Sequence, residues 1–227
     1  MSVVAHETAD RLSGLRRLLA EKYPAVAQKP GTILRTGLAS LDAAEGGLRR
    51  AAVTELSGAS GDGALFLHAM IRALCREQCF AALVDAGRSF DPDGSEPAAL
   101  GRLLVVLCAD AMQAIKAADL LLRDGNLSLV LLDFQAVPIA QIRRIPASTW
   151  HRFQRLAEQT AGALVVLTPQ PMVESARVRI ATGGRWTLAA QRRWRGELVE
   201  EMPVRVFPRQ SPALHPLQFE KAGNASA

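Results

Sequence analysis

AAVTELSGASGDGAL, residues 51–65, sets a short apolar run against a glycine-studded turn, and ALFLHAMIRALCRE, residues 64–77, then opens a helical pattern. Strand, tight glycine turn and helix in that order predict the first unit of an α/β fold. The same grammar repeats downstream. CFAALVD (79–85) leads into a polar turn at 90–97, LLVVLC (103–108) precedes DAMQAIKAADLLLR (110–123), and LSLVLLD (127–133) precedes STWHRFQRLAEQ (148–159), with ALVVLT (163–168) closing the series. Strands that read as unbroken apolar runs, separated by helices, belong to a mostly parallel twisted sheet covered on both faces and joined by right-handed crossovers. Asp110 with Gln113 has the form of a capping box, and Ser148 is placed to start the following helix.

The flanks read differently. Upstream, Asp10 can cap a helix in which Leu12, Leu15, Leu18 and Leu19 recur at spacings of three and four, ending before Pro24. A Pro/Gly-containing linker follows, so residues 1–31 read as an N-terminal helical arm and linker, 32–219 as the core and 220–227 as a flexible tail. Beyond Thr168, RWTLAAQRR (185–193) and MPVRVFP (202–208) read as C-terminal strands that extend the sheet antiparallel, because no helical pattern separates them.

The composition excludes whole classes. With 49% apolar residues, 22% charged residues and a net charge of +5 over 227 residues, the chain is neither a long disordered polymer nor a disulfide-stapled miniprotein. Three cysteines, Cys75, Cys79 and Cys108, all in apolar contexts, predict buried thiols in a reducing compartment. They lack companions for a metal site, since His6, His68, His151 and His215 are scattered. The N-terminus lacks the pattern of a secretory signal, and no apolar run reaches the roughly 18 residues of a membrane span, so the expected location is the cytoplasm.

Ligands in open α/β sheets sit at the carboxyl ends of the strands, which directs attention to the loop at 57–65. Phosphate loops need Gly, four residues, Gly, Lys and Ser/Thr: amides cradle the phosphates, the ammonium reaches the terminal groups and the hydroxyl holds magnesium. Gly58 and Gly63 have the spacing, but Ala64 stands at the lysine position and Leu65 at the hydroxyl position. Asp62 adds a carboxylate facing any polyanion; like charges ~4 Å apart at an effective dielectric of ~20 cost on the order of 4 kcal/mol. Asp133, closing SLVLLD, is read first as a strand-end carboxylate capping the next turn, with magnesium binding the competing role.

The order and wording of TELSGASGDGA (54–64), ALVDAGRSFDP (82–92), LVLLDFQAV (129–137), LVVLTPQ (164–170), TGGRWTL (182–188) and PVRVFP (203–208) resemble the core of the RecA family. That family carries a strand ending in Asp-Ala-Glu, whose Glu polarises the attacking water, and an Asp-Pro a few residues later. Asp85-Ala86 and Asp91-Pro92 stand here, but Gly87 occupies the Glu position. By the same resemblance Asp133 is a vestigial Walker B residue and Gln170 a vestigial γ-phosphate sensor. With RTGLASLDAAEGGLRRAAVTEL (35–56), the N-terminal helix and the short chain, residues 10–219 look most like the ImuA proteins, RecA-like accessory factors of bacterial translesion mutagenesis related to the cell-division inhibitor SulA. The resemblance implies a pseudo-ATPase adaptor without cofactor, whose partners are an ImuB-like Y-family protein, an error-prone DnaE-type polymerase and RecA itself. It leaves open a SulA-like inhibitor of a tubulin-like protein and an ATP-binding repair protein.

Between Ser175 and Gly196 lie six arginines and no acid: Arg177, Arg179, Arg185, Arg192, Arg193 and Arg195, interleaved with Trp186 and Trp194. The resemblance places a second DNA-binding loop there and a first after Asp133, where Arg143 and Arg144 stand. A base stacked on Trp contributes roughly 1–3 kcal/mol; the competing reading has Trp186 and Leu188 as core residues of a strand. Trp194, between two arginines, is expected in a turn and is of the type enriched at binding hot spots. A net charge of +5 is modest, so the expected DNA contact is weak or indirect. Leu12, Leu15, Leu18 and Leu19 are read either as a partner-docking face or as packing on the chain's own core.

Overall fold

The computed structural model describes residues 33–58, 62–183, 186–187 and 189–208. The N-terminal helix with its four leucines, Arg185, Leu188 and the C-terminal tail lie outside the described residues.

Seven strands form one sheet: β3 (Ala52–Gly58), β4 (Ala81–Asp85), β5 (Leu103–Leu107), β6 (Leu129–Asp133), β7 (Ala163–Thr168), β8 (Val178–Thr182) and β9 (Val204–Pro208), in the order β5-β4-β6-β7-β3-β8-β9. All neighbouring strands are parallel except β8 and β9, which are antiparallel. A two-stranded antiparallel pair, β1 (Ile33–Leu34) and β2 (Leu48–Arg49), brackets the short helix α1 (Ala39–Glu45). The remaining helices are α2 (Asp62–Arg76), α3 (Pro97–Leu100), α4 (Ala111–Asp124), α5 (Ile139–Ile142), α6 (Ala147–Thr160) and α7 (Arg195–Glu201).

The unbroken apolar strands are explained by burial on both faces. In β6, Leu129 and Leu131 point into the layer that holds α2 and α7, while Val130 and Leu132 point into the layer that holds α4 and α6. β7 divides in the same way, with Val165 and Leu167 on one side and Leu164 and Val166 on the other. Phe66 on α2 and Phe153 on α6 are fully buried anchors of the two layers. Such a side chain contributes roughly 1.5–3 kcal/mol through burial.

Helix α4 starts as the sequence predicts: the Asp110 carboxylate accepts the Gln113 N–H at 2.8 Å, and Gln113 Oε1 accepts the Ala109 N–H at 3.0 Å. Helix α6 begins earlier than expected, with Pro146 rather than Ser148 at its N-cap. Proline presets its own backbone angle, and the Pro146 carbonyl accepts the Thr149 N–H at 2.9 Å, which closes the first turn without a side-chain cap.

The C-terminal third corrects the sequence reading. β8 lies inside the basic tract and runs parallel to β3, and RWTLAAQRR contains no strand among its described residues: Ala190–Arg192 is a 3-10 turn. MPVRVFP does supply the expected strand, β9, antiparallel to β8, although helix α7 lies between the two. Ala-Ala-Gln-Arg-Arg and Arg-Gly-Glu-Leu-Val-Glu-Glu are helix-forming stretches whose propensity the strand reading underweighted. Trp194 is the N-cap residue of α7 rather than part of a free turn. Cys79 and Cys108 are buried, whereas Cys75 is half-buried.

Candidate functional site

The carboxyl end of β6 and the loop beyond β4 open onto a cleft of about 260 Å3, walled by α2 on the other side. Ala64, His68 and Ile71 line it from α2, Phe90 and Asp91 from that loop, and Asp133 and Gln135 from the end of β6.

Asp85 and Asp133 end adjacent strands in register. The Asp85 carboxylate folds the loop beyond it, with Oδ1 accepting the N–H groups of Gly87 (3.1 Å) and Ser89 (3.2 Å) and Oδ2 accepting that of Phe90 (2.9 Å). Asp133 Oδ1 accepts the Gln135 N–H at 2.9 Å. Burial pushes the Asp133 carboxyl up to about 6; the Gln135 bond works against this and the Asp85 charge adds to it. Burial, reinforced by the charges of Arg72 and Arg195, holds the His68 imidazole below its ordinary value. His68 Nδ1 and Gln135 Nε2 are buried without a hydrogen-bond partner among the described residues.

Three glycines mark where this site is closed by contact. A Cβ on Gly63 would lie 1.8 Å from Gln135 Oε1, and one on Gly58 would lie 1.9 Å from Thr182 Oγ1. A Cβ on Gly87 would lie 2.5 Å from the Ala136 methyl and 3.3 Å from its Cα, which is backbone and has little freedom to yield. The position that the resemblance assigns to a catalytic glutamate therefore has no room for a side chain while the β6–α5 turn holds its place. Leu65 is buried in the core layer under α2. Asp62 is fully buried and accepts the Trp186 indole N–H at 2.6 Å, which holds the partly buried Trp186 ring over the start of α2. Side chains able to meet a triphosphate and its magnesium, a lysine and a hydroxyl, are replaced at 64 and 65 by methyl and isobutyl groups, so this part of the loop does not fit that ligand.

Of the remaining candidates Arg195 lines the cleft, and the others lie outside its lining. Arg179 is tied into the fold: its Nε donates to Glu55 Oε2 at 3.2 Å and a terminal nitrogen donates to the Val173 carbonyl at 3.1 Å. Arg177 pairs with Glu158, and Arg193 with both Glu197 and Glu201. Arg195 crosses to the loop after β4, pairing with Asp91 at 2.6 Å and donating to the Asp93 carbonyl at 2.6 Å. Arg143, Arg144 and Arg192 are exposed. The stretch after Asp133 is a compact turn anchored by buried Phe134, Val137, Ile142 and Ile145. Gln170 lies half-buried just beyond β7, outside the cleft lining. Trp194 is 77% exposed.

Sequence reasoning missed the Glu55 node. Glu55 is buried in the middle of β3 and accepts hydrogen bonds from Thr168 Oγ1 (3.0 Å), Val173 N (2.9 Å) and Met172 N as well as from Arg179. An acid inside an apolar strand is the available signal, because buried carboxylates are paired.

No protein-family model matches the chain. Over 121 residues the chain is 36% identical to the RecA protein of Clavibacter michiganensis, an alignment covering 50% of this chain and 33% of that one. The RecA protein of Mycobacterium tuberculosis is 36% identical over 124 residues, 51% of this chain and 16% of that protein. In three dimensions the structure superposes on the RadB recombinase with a TM-score of 0.56 at 16% identity, covering 68% of this chain and 85% of that one. The chain carries a RecA-like core. It spans about a third of the length of the curated RecA proteins that match it first. Within the RecA-like core the cleft lies at the strand ends following the glycine loop. Among the described residues no helix is long and apolar enough to cross a membrane, and no cluster of three or more His, Cys, Asp or Glu is placed to hold a metal.

Proposed function

We propose that this RecA-like chain is a catalytically inactive adaptor in DNA-damage-induced translesion mutagenesis, similar to the ImuA proteins. It joins an ImuB-like Y-family protein, a DnaE-type error-prone polymerase and RecA in the cytoplasm, and touches DNA weakly or indirectly. The observation that carries this reading is the contact of Gly87 with Ala136, because it fills the space that a water-polarising side chain would need. Ala64 and Leu65 support it from the phosphate side. A sheet that stands without these three groups has its surface, rather than hydrolysis, to offer a partner.

Two measurements test the two halves. Titration of the chain with a fluorescent ATP analogue should show no saturable binding, with hydrolysis at background; micromolar binding by the native chain overturns the inactive reading. Affinity capture of the tagged chain from damage-treated cells, with nuclease present, should recover a translesion polymerase. Recovery of a cell-division protein in its place would move the function to division arrest.

A further inference from the structure

At about 260 Å3 the cleft is smaller than the roughly 300–1,000 Å3 of sites that enclose a whole small-molecule ligand. Its size suits one large side chain. Leu67 and Ile71 of α2 and Phe90 of the loop after β4 give it apolar walls, and Asp133 and Gln135 bring polar groups to it from the end of β6. Asp133 Oδ1 accepts the Gln135 N–H, while Oδ2 accepts no hydrogen bond among the described residues. Gln135 Nε2 and His68 Nδ1 are buried and likewise lack a partner there. An unused acceptor beside an unused donor, in an apolar slot, calls for a group that both donates and accepts and is carried on an apolar body. The phenol of tyrosine meets that description. An indole only donates, and a lysine or arginine would bring a second cation to Arg195, which lines the cleft in its pair with Asp91.

We propose that this cleft seats the chain's own Tyr23, whose phenol donates to Asp133 Oδ2 and accepts from Gln135 Nε2. Tyr23 is the single tyrosine of the chain and lies outside the described residues, ten positions before Ile33, where β1 starts. The chain enters the core beside α2, because Arg76, at the end of that helix, donates to the Thr36 carbonyl at 3.3 Å. From Arg76 to His68 is about 12 Å along the helix axis at ~1.5 Å per residue. Ten residues reach up to about 33 Å, so Tyr23 can meet the cleft of its own core. A tether this short gives an effective concentration in the millimolar range, which favours the chain's own tyrosine over one on a separate protein. The seated arm then closes the cleft to other ligands.

This contact is independent of the adaptor reading. With one tyrosine in the full-length chain, the near-ultraviolet absorbance of tyrosinate reports Tyr23 alone. Burial, with the charges of Asp133 and Asp91 outweighing that of Arg195 beside a neutral His68, should move its titration from the ordinary value of about 10 to about 11 or above. Asp133→Asn keeps an acceptor but removes the nearest charge and should bring the midpoint part of the way back. Ala64→Phe fills the cleft from an exposed position on α2 and should return it to about 10. If circular dichroism shows Ala64→Phe unfolded, Ala64→Met replaces it. Should alkali unfold the native chain first, trypsin at neutral pH gives the same answer: cleavage after Lys22 should be at least about tenfold slower in the native chain than in the Ala64 variant. A native midpoint at about 10 in the folded chain overturns the proposal, as does equally fast cleavage of the two chains. So does a raised midpoint that neither variant moves, which puts the phenol elsewhere, or one that falls on dilution, which seats Tyr23 in a second copy.

Discussion

Replacing Gly87 with alanine tests the closed site directly. The φ of Gly87 lies outside the left-handed region, so an alanine there meets no backbone strain and by itself would stabilise the fold by about 0.4–1 kcal/mol through the unfolded chain. Against this, its methyl would sit 2.5 Å from that of Ala136, on a turn held by buried Phe134 and Val137. Forcing a methyl into a packed contact costs about 1–3 kcal/mol. The net loss should therefore lie between about 0 and 2.6 kcal/mol, or up to about 10 °C in Tm for a domain of this size. Urea denaturation reads it as a lower midpoint with an unchanged slope. The decisive measurement is the cycle with Ala136→Gly: once the opposing methyl is removed, Gly87→Ala should become neutral or stabilising, giving a coupling of about 1–3 kcal/mol. Additive effects would refute the contact, and with it the argument that position 87 has no room for a catalytic side chain.

Glu55→Ala should destabilise the protein by about 3–5 kcal/mol, because it strands the Arg179 guanidinium and three donors on Thr168, Met172 and Val173. Glu55→Gln keeps an acceptor for those donors and should lose distinctly less; equal losses in thermal melts would show that the node does not act through hydrogen bonding. Asp133 should give the stability curve an acid-side slope. Its folded pKa of about 6 lies above the ordinary 3.8, so between these values the unfolded state has released a proton that the folded state retains. Stability from this group is thus full below pH 4, falls as pH rises to 6, and changes no further, a total on the order of 3 kcal/mol. Asp133→Asn should gain on the native protein across that interval, and parallel curves from urea titrations between pH 4 and about 7 would refute the assignment.

Much of the fold was legible because its signals are local. Apolar runs such as LSLVLLD and ALVVLT report strands buried on both faces, and Asp110 with Gln113 reports a helix start within four residues. The C-terminal third was harder. A stretch such as RWTLAAQRR has no sustained period, and Trp186 finds its place through Asp62, which is 124 positions away in the chain.

What the sequence determined alone was the alternation of strand and helix, and that Ala64 and Leu65 follow a Gly58–Gly63 pair at phosphate-loop spacing. Those are facts of composition and spacing, whereas the correspondence of Gly87 to a catalytic glutamate is what the family resemblance implies. Only the tertiary structure decided which arginines are held inside the fold, as Arg179 is by Glu55, and which remain on the surface. It alone set Ala136 against Gly87 and put β5 at the edge of the sheet among the described residues. The physical reason is that periodicity shows a strand that it will be buried, whereas its neighbour is chosen by the order of strands in the sheet, and that order is fixed by contacts between residues far apart in the chain.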